Sequence, residues 1–478
     1  MKKVVLVVAV SVFSLSFVFG QQTMTMQECV RVALDNNLTV KRGVYNVETN
    51  RTYLLSAYGN YLPTLNFGVS GSQNYGRNLN PVTYQYVTGM TRTVNPSLTG
   101  SLLLFNGFRN YFTYRQSKLS VNAASLDLQK AKNDVIINVV TYYTNVILNK
   151  ELYENAKFQL NSSQQQLERI QKQVEAGALP KSNELTQEAT VATNETNLIT
   201  QENAYNLSLL QLKQSMQVPA SNQFEIVIPD ITLEDLTITQ TTEEIYANST
   251  KTLPQVQSAL LKVESAQEAL KAARAAYAPR LSFSYAVVSN YNSASDGPRY
   301  AINPTPIYPT IGYVNGDQTQ PVLSASPTVQ QYQVGDTYHV LPQIQDNLYK
   351  NFSLSLSIPI LNGFQTRTGV KQAVINRELA EITVKETENT LRQAIETAYN
   401  NVTAASKTYT AALKQVSANE EAFRMTSKRQ ENGAATYIEY QVSSNDLFSA
   451  KSSLARAKYN FIMTKKILEF YQGKTIEY

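Results

Sequence analysis

The feature that most constrains this chain is that it repeats itself at fixed length. Leu104-Phe105-Asn106-Gly107-Phe108 returns as Ile360-Leu361-Asn362-Gly363-Phe364, an offset of 256 in the numbering. Glu175-Ala176-Gly177-Ala178 returns as Glu431-Asn432-Gly433-Ala434 at the same offset. Gly107 and Gly177 are therefore 70 positions apart, as are Gly363 and Gly433. Two copies that diverge in letters yet keep their length are constrained by geometry.

Periodicity supplies that geometry. Apolar residues in the first copy fall at Val135, Val139, Tyr142, Val146, Tyr153, Ala156, Leu160, Leu167, Ile170 and Val174. The second copy follows with Leu391, Ile395, Ala398, Val402, Ala405, Tyr409, Ala412, Val416 and Phe423. A sustained four-three step is a coiled-coil seam. No proline or glycine interrupts Phe108 to Ala176, so the spacing predicts a helix roughly 100 Å long at 1.5 Å per residue. Gly177-Ala-Leu-Pro180 and Gly433-Ala-Ala-Thr436 then end each helix. A second helical pattern follows at once, making helical hairpins of 108–217 and 364–472.

Alternation takes over elsewhere. Leu65, Phe67 and Val69 alternate with Thr64, Asn66, Gly68 and Ser70, and Asn95 to Phe105 alternates again. In the second half Leu281, Phe283, Tyr285 and Val287 alternate with serines and small residues, and Phe352 to Ile360 closes the pair. Period two over about ten residues, bounded by turn residues, is the pattern of a membrane-spanning strand; a soluble hairpin with one wet face is the alternative. The segments are β-hairpin 1 at 61–107 and β-hairpin 2 at 279–363, the latter carrying a long Pro-, Tyr- and Gln-rich loop at 290–350. Loops of that length are functional or disordered, and one placed between spanning strands is expected outside the cell.

Two rising helices precede these hairpins, one in segment 21–60 from Met24 to Tyr58, the other at 243–278 from Glu243 to Ala276. Each ends at a Tyr-x-Pro, Tyr61-Leu-Pro63 and Tyr277-Ala-Pro279. A polar linker, 218–242, joins the halves, and 473–478 is a tail. Residues 1–20 read as a secretory leader: Lys2 and Lys3, an apolar core Val4–Phe19, and cleavage after Gly20. A signal-anchor helix is the competing reading. No later run of about 20 apolar residues predicts a transmembrane helix.

Composition narrows the function classes. Net charge is +5, or +3 without Lys2 and Lys3, and no basic run appears, which excludes a nucleic-acid partner. Cys29 is the only cysteine, so no internal disulfide is possible. His339 is the only histidine and stands in the long loop; neither a metal nor a cofactor is expected. No paired carboxylates, nucleophile motif or phosphate loop is present, so the chain is read as a non-enzyme. Four strands cannot close a barrel, for which eight is the smallest number, and open edges are not tolerated in lipid. Several copies must then share one barrel; three would give about 12 strands.

Leu34-Asp-Asn-Asn37, the Tyr-x-Pro junctions, Phe-Asn-Gly-Phe at 105–108, Leu-Asn-Gly-Phe at 361–364, Glu431-Asn-Gly433 and Ala450-Lys-Ser-Ser-Leu-Ala-Arg-Ala-Lys-Tyr459 occur in this order. Together they resemble the TolC-like outer-membrane efflux proteins over the whole mature chain. The resemblance implies a homotrimeric, 12-stranded β-barrel continued by a long periplasmic α-helical barrel. It also implies a place in the outer membrane of a Gram-negative cell. As an exit duct of tripartite efflux or type I secretion, the chain would have a periplasmic adaptor and an inner-membrane pump as partners. Gly177 and Gly433 would mark the adaptor-docking tips, and Glu439 would sit at an acidic pore ring. Thr436-x-x-Glu439 is equally a capping box. The chain departs from the family pattern at Val442, Ala435 and Asn183, where a second acidic ring, an Arg and an Asp are expected. An amide and tyrosine latch of Asn183, Gln430 and Tyr437 is the substitute. The rival readings are a trimeric, surface-anchored coiled-coil stalk or adhesin, which two strand pairs disfavour, and a diffusion porin, which needs no long hairpins.

Overall fold

The computed structural model describes residues 22–79, 85–222, 224–228, 239–335 and 338–474; the leader read at 1–20 lies outside them. In chain order the first half comprises β1 (Gln22–Met24), α1 (Met26–Asn36), α2 (Leu38–Gly59), β2 (Thr64–Leu79), β3 (Tyr86–Phe105), α3 (Arg109–Glu175) and α4 (Lys181–Ser215). The second comprises β4 (Phe224–Ile226), α5 (Thr242–Thr252), α6 (Pro254–Arg274), β5 (Arg280–Val288), β6 (Tyr291–Asn292), β7 (Arg299–Ile302), β8 (Thr310–Tyr313) and β9 (Pro321–Leu323). β10 (Gln331–Gly335), α7 (Val340–Asp346), β11 (Tyr349–Ser357), α8 (Gln365–Glu431) and α9 (Tyr437–Tyr471) complete it. The duplication is kept to the residue: α3 and α8 each have 67 residues, and α4 and α9 each have 35.

Contacts divide the chain into two units. The first, helical unit comprises the segment ending at Thr52, Gln116–Gln267, and the segment from Ile375 onward. Its core forms where the long helices meet the shorter ones, and the two copies use corresponding positions. Val135, Val139, Val146 and Leu212 are buried in one cluster; their equivalents in the second copy, Leu391, Ile395, Val402 and Leu468, are buried in the other. Around Tyr143, α3 is buried beyond its seam, because Val140, Tyr143 and Ile147 pack with α1 and with a small parallel sheet of β1 and β4. The Tyr143 hydroxyl donates to the carbonyls of Met24 and Val227 at the edge of that sheet. Three-residue strands carry too little alternation to be read from sequence, and Met24 is a strand residue here rather than a helical one.

The rising helices, expected as two continuous rods, are each broken once. Asn37 is extended, and its side-chain carbonyl accepts from the backbone N–H of Thr39 and Val40, restarting the helix. Leu253, its counterpart in the second half, is extended in the same way. There Pro254 is responsible, since its ring clashes with a helical residue before it.

The second unit, Tyr53–Arg115 and Glu268–Val374, holds a sheet of order β11-β5-β3-β2, antiparallel throughout, with β6 beside β3. One face carries Leu65 and Phe67, Leu98 and Leu102, Leu281, Phe283 and Val287, and Phe352, Leu354 and Leu356. Serine, threonine and asparagine line the other. The apolar face is bare: Phe67 is 72 % exposed and Phe352 70 %. A sheet that turns an uncovered apolar band outward and a polar face inward is built for lipid on one side and water on the other. The helices contribute no span, since no helix among the described residues is long and apolar enough to cross a membrane. The closing strand begins three residues earlier than expected and ends at Ser357, short of Pro359, which has no N–H for a ladder. The long loop is ordered as a ribbon: β7 pairs with β10, Ile307 bridges Thr328, and β8 pairs with β9.

Candidate functional site: the hairpin tips and the seam between them

Both long helices end in the same Schellman closure. The Gly177 N–H bonds Val174 O at 2.9 Å and the Ala178 N–H bonds Gln173 O at 2.8 Å. In the second copy the pairs are Gly433 to Gln430 at 3.0 Å and Ala434 to Arg429 at 2.7 Å. The glycines sit at φ +74° and +73°, a left-handed conformation costly for a side chain, while nothing stands within 4 Å of where a Cβ would be. Their use is conformational, and the turn around them, 176–178 and 431–434, is open to solvent.

The hairpins then differ in how the next helix starts. α4 starts behind Pro180, which offers no capping side chain. α9 starts behind Thr436, whose hydroxyl accepts from the Glu439 N–H at 3.2 Å while Glu439 Oε2 accepts from the Thr436 N–H at 2.7 Å. The capping box read from sequence is formed. Hydrogen bonds from Thr436, the backbone one first, hold the Glu439 carboxyl below the usual carboxylate range. Its other oxygen lies 3.8 Å from Arg429 Nη2, which donates to Ala434 O at 3.0 Å. At the corresponding positions the first hairpin has Gln173 and Asn183, so a charged clasp in one tip stands against amides in the other. Arg429 was missed from sequence because it precedes the tip glycine instead of following it.

Tyr437 faces the first hairpin. Its hydroxyl is buried beside Thr190, and burial pushes its pKa up to about 12. Asn183 and Gln430 are half-buried, and neither makes a side-chain bond to Tyr437. The hydrogen bond between hairpins runs from Gln441 on α9 to the Thr190 hydroxyl on α4. Around it Gln159, Ser163, Gln187, Asn194, Tyr440 and Asn445 form a polar seam. Within hairpin 1 the buried Gln187 amide donates to Ser163 O at 2.7 Å. His339, in the other unit, stands at the start of α7 without a side-chain capping bond and lies 3.5 Å from Asp296.

The profile of outer membrane efflux proteins matches residues 29–216 and 246–473, one match per half. The chain belongs to the outer membrane efflux protein family. As an outer membrane efflux protein it is a channel-forming component of the outer membrane, extending into the periplasm. Solved structures share its fold. CusC is 15 % identical with a TM-score of 0.72, over 94 % of this chain and 92 % of that one. The CmeC outer membrane channel of Campylobacter jejuni is 17 % identical with a TM-score of 0.71, over 94 % and 85 %. The outer membrane protein VceC of Vibrio cholerae is 13 % identical with a TM-score of 0.71, over 95 % and 97 %. No curated protein sequence matches the chain. The expected fold class, transmembrane β-strands with long helical hairpins on an internal duplication, is the fold of this efflux protein.

Proposed function

We propose that the chain works as a homotrimeric exit duct of a tripartite efflux or type I secretion assembly. It would receive cargo from a periplasmic adaptor and an inner-membrane pump and release it outside the cell. The observation that carries this reading is the pair of length-matched helical hairpins with solvent-open Schellman tips on a chain that also holds lipid-facing strands. A plain porin has no use for the hairpins, and a stalk has none for two separated strand pairs. Gly177 and Gly433 shape the adaptor-docking turns.

In this reading the closed end lies at the tips, with Glu439 in the pore lining and Asn183, Gln430 and Tyr437 around it. Arg429 partly neutralises each Glu439, so the ring is a moderate cation selector.

Two measurements test this. Trimming both tips, 174–183 and 430–439, should abolish dye export in cells while leaving the outer-membrane oligomer intact; export at the wild-type rate would sink the duct reading. Glu439→Gln keeps the capping geometry, since Gln serves at that position, and should lower the cation-to-anion permeability ratio. An unchanged ratio would leave Glu439 as a helix cap and nothing more.

A further inference from the structure

The ribbon of residues 299–335 cannot be explained as a self-sufficient element. It is two-stranded, and such hairpins are marginal in water without a covered apolar face. Yet Ile302, Ile311, Tyr313, Leu323, Tyr332 and Val334 are all exposed, Ile311 to 67 %. Between residues 300 and 335 Asp317 is the sole charge, so the ribbon is not a solvated loop either. None of its strands pairs with the membrane sheet.

A second bare feature lies on the first hairpin. β2 and β3 run to Leu79 and Tyr86, whereas β5 ends at Val288, level with Ser97 on β3, and β11 starts at Tyr349 on that same row. Gly68 of β2 is level with them. Residues 69–79 of β2 therefore overhang the sheet along an edge with no partner among the described residues, and they expose Tyr75 and Leu79.

β2 and β11 are the two free edges of the antiparallel sheet. In a ring of like-oriented copies the antiparallel order continues only if β11 of one copy meets β2 of the next. The chain entering β11 comes from α7 and β10, the base of the ribbon. Closure thus brings the uncovered ribbon of one copy beside the uncovered overhang of its neighbour.

We propose that the ribbon is an intersubunit clasp: its exposed apolar side chains, led by Tyr332 and Val334 on one face of β10, pack on the 69–79 overhang of a second copy of this chain, forming a collar outside the membrane. Pro304, Pro306, Pro309, Pro321 and Pro327 remove donors along much of the ribbon, so the contact is made by side-chain faces more than by added strands. The inference rests on the ring-forming homotrimer proposed above.

The test uses full-length protein carrying Cys29→Ala and two alternative pairs joined by a flexible bis-maleimide. Gly68→Cys with Tyr349→Cys reports the barrel seam; Tyr75→Cys with Tyr332→Cys reports the clasp. Dimer and trimer bands from both pairs are expected. Bands from the seam pair alone would overturn the clasp and leave the trimer standing. A ladder from Tyr332→Cys as a single cysteine would mean that ribbons cover one another, which also overturns it. Failure of both pairs, with a monomer by light scattering, would remove the trimer and the clasp together. Replacing 303–330 by Asn-Gly supplies a second reading: the trimer should still assemble but dissociate in SDS at a lower temperature, and an unchanged temperature would overturn the clasp.

Discussion

Cys29 shows how the duplication assigns a role to a single residue. It is fully buried between α1 and the long helix, and its counterpart in the second half is Ile245, buried in the same way. An isoleucine position filled by cysteine is a packing position. Burial also pushes the thiol up to about 12, so no reactive thiolate is available. Maleimide should label the native protein negligibly and label it fully in denaturant, and Cys29→Ser should cost about 1–3 kcal/mol for a hydroxyl in an apolar site; rapid native labelling would refute this. Gly107 differs from the tip glycines. It combines φ +68° with a Cβ position 2.3 Å from Ala278 Cβ and 2.8 Å from Ala275 O. Gly107→Ala adds overpacking of about 1–3 kcal/mol to the backbone strain. Gly433→Ala, in open space, meets only the strain of about 1–2 kcal/mol. Equal effects in thermal melts would contradict that distinction. The Asn-Gly-Phe motif is legible as a turn from sequence; the close approach behind Gly107 is not, because Ala275 and Ala278 belong to the other half of the chain.

At the scale of the element, long-range regularity was readable and local interruption was not. The four-three seam identifies α3 and α8 to within a residue or two of their ends, since both are framed by glycine. The breaks at Asn37 and Leu253 interrupt patterns that are apolar on both sides, and the signals, a capping Asn and Pro254, are single residues. Asn37→Ala should destabilise the start of α2 by about 1 kcal/mol through loss of its two backbone bonds; unaltered hydrogen exchange at Thr39 and Val40 would show that the break is held elsewhere. Thr25 with Glu28, Thr241 with Glu244 and Thr436 with Glu439 are three capping boxes, and each carboxyl is held below its usual range by its Thr, the backbone bond first. A depressed folded value means that the stabilisation is complete above the unfolded carboxylate range and is lost as pH falls through the folded one. Protection of these first turns should therefore drop in acid, below about pH 4, and Glu→Gln versions should lack the drop. A pH-independent protection in the wild type would contradict the assignment.

For the whole molecule, the duplication and the strand pattern pointed to several copies sharing one barrel with long helical hairpins, while the family resemblance rested on ordered motifs such as Leu34-Asp-Asn-Asn37, Phe105-Asn-Gly-Phe108 and the run 450–459. The order within the long loop was hidden because its strands are short and proline-rich, and β7 to β10 pair only with each other. Protease added to intact cells should cut the chain between residues 303 and 330, given that this ribbon joins two lipid-facing strands; cleavage only after lysis would put the loop on the other side of the membrane. The equality of α3 with α8, and of α4 with α9, has a further consequence for heredity. Each inserted residue lengthens a helix by about 1.5 Å and turns everything beyond it by about 100°. A change in one copy alone would carry that tip out of step with its twin and rotate its seam away from its partners. Gene variants can lengthen or shorten this duct only by matched edits in both halves, in steps close to whole heptads. The chain carries its ruler in duplicate, and each copy proofreads the other.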